Sequence, residues 1–144
     1  MLLLQFRNFA SADYIQARAL WEATPGVGLS DADGPEAIEA FLARNPGTSF
    51  VATDGAVLVG TILCGHDGRR GLIHHLVTKM SHRRLGLGTT LLRAGLKALR
   101  AQGVNKCHLL VFRSNSDGLQ FWRAVAAQER TELALFSLAT QISG

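Results

Sequence analysis

Residues 81–90, SHRRLGLGTT, join a β-type run, LIHHLVT (72–78), to a stretch whose apolar residues recur at helical spacing. This junction constrains the fold more than any other part of the chain. Glycine weakens a helix start and adjacent arginines repel each other, so Arg83, Arg84, Gly86 and Gly88 need a reason to stand together. A strand, a glycine-bearing turn and a helix N-terminus supply one. Unpaired backbone N–H groups point outward there, and the helix dipole favours an anion. Glycine lets phosphate oxygens approach the backbone because no Cβ intervenes, and a diphosphate between the two arginines turns their repulsion into attraction. The junction therefore predicts a phosphate site.

Two common phosphate motifs do not fit. A Walker A loop needs GxxxxGK[ST], and a dinucleotide fingerprint needs a third glycine and a later acid for the ribose. What remains is R-x-x-G-x-G, read from Arg83 through Gly86 to Gly88.

The flanking chain sets the fold class. LLLQFRNF reads as a first strand, and Ser11 is a plausible N-cap for a helix through about Glu22. TPGVGLSDADGP is a loop, with Pro35 suited to the first turn of a second helix. TSFVAT and AVLVGTILCG are strands joined at Asp54-Gly55, a hairpin signal. After LIHHLVT and the junction comes a helix with Leu92, Gly95, Leu96 and Leu99 on one face and Arg93, Lys97 and Arg100 on the other, stopping at Gly103. KCHLLVF is a strand, SDGLQFWRAVAAQ a helix, and TELALFSLA a closing strand. This order describes one α+β domain over residues 1–144, built on a mixed sheet.

Charge is unevenly spread along the 144 residues. Residues 1–68 hold three Lys/Arg against eight Asp/Glu, whereas residues 69–113 hold ten Lys/Arg and no acid. A basic centre beside an acidic N-terminal half suggests one site for a polyanion and another for a cation. The basic residues surround a single phosphate loop with few aromatics among them, so no nucleic acid is expected as partner. The short apolar start before Arg7 is no membrane span. Cys64 and Cys107 show no metal-type spacing and read as buried, reduced thiols of a cytoplasmic protein; no metal is expected.

The R-x-x-G-x-G junction, preceded by a strand and opening a helix, resembles the acyl-CoA signature of the GNAT superfamily of N-acetyltransferases. NSDGLQFWRAVAA is similar to that family's second motif, with Asn115, Trp122 and Ala126 at its Asn, aromatic and Gly places. GTILCGHDGRRG looks like the small, single-domain bacterial branch. The resemblance covers nearly the whole chain and implies a mixed, mostly antiparallel sheet of about six to seven strands with about four helices.

It implies acetyl-CoA as acetyl donor, its diphosphate against the amides of Arg84, Leu85, Gly86, Leu87, Gly88 and Thr89, beside Arg83. The pantetheine would run along Leu76, Val77 and Thr78, between strands that splay apart, with Asn115 also in the cofactor site. The activity implied is direct transfer to a primary amine of a small molecule or peptide. The family usually has Tyr at the place of Trp122, where its hydroxyl protonates the leaving thiolate. Tryptophan has no comparable acid, so the alternative is an acyl-CoA-binding module with weak or no catalysis. Ala126 and Met80 depart from the usual Gly and Pro.

A free alkylamine has a pKa of about 10.4, so a base near the acceptor is useful. His74 and His75 sit mid-strand, and strict alternation turns them to opposite faces, with positions 72, 74, 76 and 78 sharing one. The arylalkylamine subgroup carries a proton-relay histidine at the place of His74, which makes His74 the candidate base and His75 structural. Asp31, Asp33, Glu36 and Glu39 could attract a cationic amine, but read better as a solvated helix start. The apolar LALFSLA is a candidate to pair across a homodimer.

Overall fold

The computed structural model describes residues 1–141; the last three positions of the expected domain lie outside the described residues. The chain forms five strands and four α-helices among them: β1 (Leu4–Asn8), α1 (Tyr14–Ala23), α2 (Pro35–Arg44), β2 (Phe50–Asp54), β3 (Val57–His66), β4 (Gly71–Thr78), α3 (Leu87–Ala101), β5 (Cys107–Leu109) and α4 (Ser116–Ala124). Short 3₁₀ turns at Ser11–Asp13 and Asp31–Asp33 precede α1 and α2.

The strands lie in chain order, β1-β2-β3-β4-β5. All neighbours are antiparallel except β4 and β5, which run parallel. Alternation along β2 and β3 splits the core into two layers. Ala52, Val59, Ile62 and Cys64 meet Leu87, Leu91, Leu92 and Leu99 of α3 on one face. Val51, Leu58 and Leu63 meet Ala17, Leu20 and Trp21 of α1 and Ile38 of α2 on the other.

Several local expectations change. Ser11 does not cap α1; it opens the 3₁₀ turn, and Asp13 precedes the helix. In α3 the buried stripe includes Leu87 and Leu91, while Leu96 is exposed. The helix packs across the sheet through the row that contains Gly95, where an added Cβ would lie 2.7 Å from Cys64 Sγ. The expected strand over residues 106–112 is reduced to three residues, and Leu110 and Phe112 beyond it are exposed.

Residues 131–139 form no strand among the described residues, so the sheet falls short of the expected six to seven. Their apolar run reads as a strand, but a strand needs a hydrogen-bonded neighbour. None is in place, and Leu133, Leu135, Phe136 and Leu138 are exposed. No helix among the described residues is long and apolar enough to cross a membrane.

Candidate active site

The expected phosphate loop leaves β4 through a short 3₁₀ turn at Met80–His82 and enters α3 at Gly86. Arg84 and Gly86 both have left-handed backbone, φ 65° and 77°. Arg83 N donates to Met80 O and Thr90 N donates to Gly86 O. The amides between them, Arg84 to Thr89, donate to no acceptor among the described residues. An N-terminus with its first amides unused is an anion cradle in physical terms.

The loop is tied down at its start. His82 Nε2 lies 2.9 Å from Asp54 Oδ2, and Asp54 Oδ1 accepts from Leu3 N at 2.9 Å. The Leu3 amide, then the His82 ring, hold the Asp54 carboxyl below its ordinary range. Sequence reading missed this anchor, although His82 adjoins the signature. Arg83 and Arg84 are exposed, and Arg83 reaches Asp117 only at 3.8 Å.

The cradle opens into a cavity of ≈ 390 Å³ whose lining includes Leu76, Val77, Thr78, Gly88, Asn115, Phe121 and Trp122. Its wall follows from the sheet. β4 pairs with β5 only from Gly71 to Ile73, and the strands then part. Lys79 N donates to Val59 O of β3. Two-residue alternation therefore turns Val77 the same way and leaves the main chain of Leu76 and Thr78 facing the open edge. Asn115 caps α4, its Oδ1 accepting from Gly118 N at 3.0 Å. Trp122 is half-buried, edge-on to Phe121 at 5.1 Å.

The expectation that His74 and His75 face opposite sides is corrected. The β3–β4 register shifts between Thr61 and Leu63, so Ile62 alone stands opposite both His75 and Leu76. This bulge inserts one residue and turns both imidazoles toward the α1/α2 layer. His74 lies edge-on to Phe41 of α2 at 5.9 Å, and His75 lies against Trp21 of α1 at 4.5 Å. His75 has φ 46°. Trp21 Nε1 donates to Thr61 Oγ1 (2.9 Å), which donates to His75 O (2.8 Å). His75 Nε2 lies 2.6 Å from Asp33 Oδ1, with side chains 13% and 12% exposed. Neither histidine lines the cavity.

Asp33 is thus no solvated helix-start acid, unlike the exposed Asp31, Glu36 and Glu39. The His74 ring, against Phe41, has a lowered pKa, first from desolvation by burial and then from the neighbouring His75. Burial pushes the Cys64 thiol up to about 12, and burial also raises the half-buried Cys107. Neither sulfur lines the cavity. Among the described residues, no group of three or more His, Cys, Asp or Glu side chains could hold a metal ion.

A model of the acetyltransferase (GNAT) family matches residues 14–126, from the start of α1 to just past α4. This chain belongs to the GNAT acetyltransferases. An acetyltransferase of Photorhabdus laumondii is 30% identical over 139 residues, covering 93% of this chain and 94% of that protein. The same fold recurs in an acetyltransferase from Clostridium acetobutylicum solved with acetyl-CoA (TM-score 0.76, 15% identity, 94% and 96% of the two chains). It recurs also in a diaminobutyrate acetyltransferase of Paenibacillus lautus in complex with its substrate and coenzyme A (TM-score 0.73, 19% identity, 88% and 76%). Within the GNAT match lie the cradle, the splayed edge of β4 and the bulge; residues 131–139 fall outside it.

Proposed function

We propose that this acetyltransferase moves the acetyl group of acetyl-CoA directly to a primary amine, on a small molecule or a peptide. One observation carries the reading: the unused amides of Arg84 to Thr89 open into the same cavity as the unpaired edge of β4. The cradle suits a diphosphate, with Arg83 and Arg84 supplying charge. The free N–H and C=O groups of Leu76 and Thr78 suit an extended amide-bearing arm, which would join β4 much as a strand does. Val77 backs that edge from the core, and the Asn115 amide closes the far wall.

Direct transfer fits the cysteines. A thiol as hard to ionise as Cys64, away from the cavity, is a poor acyl carrier. The exposed Asp31, Glu36 and Glu39 near the start of α2 would draw a cationic acceptor toward the face that His74 and His75 share. Trp122 offers no proton to the departing thiolate, so solvent does.

The test is release of CoA thiol from acetyl-CoA in the presence of n-butylamine, 1,4-diaminobutane, L-lysine or a tripeptide with a free N-terminus. Amine-dependent release is expected with at least one of them. Acetyl-CoA that binds in calorimetry yet shows no amine-dependent release would leave the chain an acyl-CoA-binding module.

A further inference from the structure

We propose that His75, oriented by Asp33, is the general base that takes the proton from the acceptor amine. This rests on the acetyl-transfer reading above. Asp33 ends the 3₁₀ turn before α2 and is fixed from several directions. Its Oδ2 accepts from Ser30 N (2.9 Å), and its carbonyl accepts from Tyr14 Oη (2.6 Å) and Arg18 Nη1 (3.0 Å). A carboxylate only accepts, so the 2.6 Å contact places a proton on His75 Nε2, and in the neutral ring the lone pair is then on Nδ1.

That second nitrogen decides the matter. His75 Nδ1 makes no hydrogen bond among the described residues. Yet no buried side-chain nitrogen or oxygen there lacks a partner. Nδ1 is therefore not fully buried: in the neutral ring the tautomer is fixed, and the free basic nitrogen is one that solvent can reach. His74 makes no side-chain hydrogen bond among the described residues.

A second turn of the same build shows what a purely structural version looks like. Asp13 ends the turn before α1, its Oδ2 accepts from Ala10 N (2.8 Å), and it grips Arg7 of β1 at 2.7 and 2.8 Å. Arginine keeps its proton; imidazole can exchange one.

The bulge sets His75 beside Leu76, at the end of β4 where the sheet opens. Residue 76, next along, opens its main chain toward the splayed edge that suits the thioester arm. The strain of φ 46° persists because Trp21, Thr61 and Asp33 hold the residue from three elements. The charged or titrating groups around the ring are Asp33 from the turn, His74 on β4, and Tyr14 and Arg18 of α1 through the Asp33 carbonyl. Thr61 of β3 and Trp21 are neutral.

In the step, an N–H bond of the ammonium breaks and its proton goes to His75 Nδ1, giving an imidazolium paired with Asp33. The freed nitrogen pair forms the C–N bond to the thioester carbonyl. The C–S bond breaks, and its pair leaves on sulfur. The surplus proton on the amide nitrogen passes through solvent to the thiolate, and the imidazolium returns its own proton to solvent.

His75→Gly is the decisive variant, because glycine suits the left-handed backbone and leaves a space beside Trp21 for added imidazole. It should bind acetyl-CoA with unchanged affinity by calorimetry, and lose ~10²–10⁴-fold in kcat/KM for the fastest of the four amines, as base removal does. Added imidazole should restore rate in proportion to its free-base fraction. Asp33→Asn keeps the shape of the turn and should lower kcat/KM while changing the form of its pH profile. The proposal is overturned if His75→Gly stays within about threefold of wild type, a change too small for base removal. It is overturned equally if imidazole restores nothing, or if Asp33→Asn lowers the rate by the same factor at every pH. A wild-type enzyme inert toward all four amines would instead sink the acetyl-transfer reading.

Discussion

The loop from Arg83 to Gly88 and the β4 bulge both depart from regular backbone through a non-glycine residue with positive φ, Arg84 in one and His75 in the other. Their supports differ. The loop is exposed and held by His82 on Asp54 and a long Arg83–Asp117 contact, with its amides free. The bulge is enclosed, and Trp21, Thr61 and Asp33 each grip His75. A left-handed residue in an L-chain costs roughly 1–2 kcal/mol. In the bulge, tertiary contacts offset that strain whether or not a ligand is bound. In the loop little within the fold offsets it, and an anion bonding the free amides would do so. The difference separates a loop left open for a ligand from a bulge held by its own core.

The sharpest way to break this comparison is to fill the loop. A Cβ on Gly88 would lie 3.2 Å from Phe121 Cε1 and 4.0 Å from Thr78 Cγ2, inside the cavity wall. Gly88→Val should therefore lower acetyl-CoA affinity at least ~100-fold, about 2.7 kcal/mol, in calorimetry. Because Phe121 must also give way, the melting temperature should fall a few degrees while α3 still forms. Unchanged affinity would show that no phosphate lies against these amides.

A smaller effect divides charge from strain at Arg84. Arg84→Ala and Arg84→Gly should weaken acetyl-CoA binding alike, by about 1–3 kcal/mol for a lost charge-assisted bond. The loss should shrink as salt is raised. The two should part in thermal melts, with the glycine variant about 1 kcal/mol the more stable because it sheds a left-handed Cβ. Equal melting temperatures would mean that the loop stores no strain, and the contrast with the bulge would reduce to contacts alone.

The same contrast explains what was legible in the sequence. The loop is written locally: Arg83, Arg84, Gly86 and Gly88 are the wrong residues for an ordinary helix start and the right ones for an anion, so composition alone points to it. Asp54-Gly55 announced the β2–β3 hairpin in the same way, by turn chemistry. The bulge has no local sign in turn chemistry, since LIHHLVT carries no glycine. Its cause lies in Trp21, Asp33 and Thr61, each more than ten residues away in sequence. Alternation consequently put His75 on the wrong face. Asp33 was misjudged for a related reason: an acid near a helix start is normally solvated, and only the fold brings an imidazole to it. The closing strand failed differently. LALFSLA has the right residue types, but pairing depends on an available edge, which residue types do not report.

The third non-glycine residue with positive φ tests strain in a place with no ligand or core to offset it. Ala126, φ 65°, follows α4 and is exposed. Ala126 N donates to Arg123 O (3.0 Å) and Ala127 N to Trp122 O (2.9 Å). That pair of bonds ends a helix on a left-handed residue, where glycine is preferred. Ala126→Gly removes the strained Cβ but adds freedom to the unfolded chain, so the net gain should be about 0.5–1 kcal/mol, a rise of a few degrees in melting temperature. Acetyl-CoA affinity should not change, because the residue lies outside the cavity. No rise in melting temperature would mean that alanine sits there without strain. The energy assigned to Arg84 by the same backbone argument would then need another source.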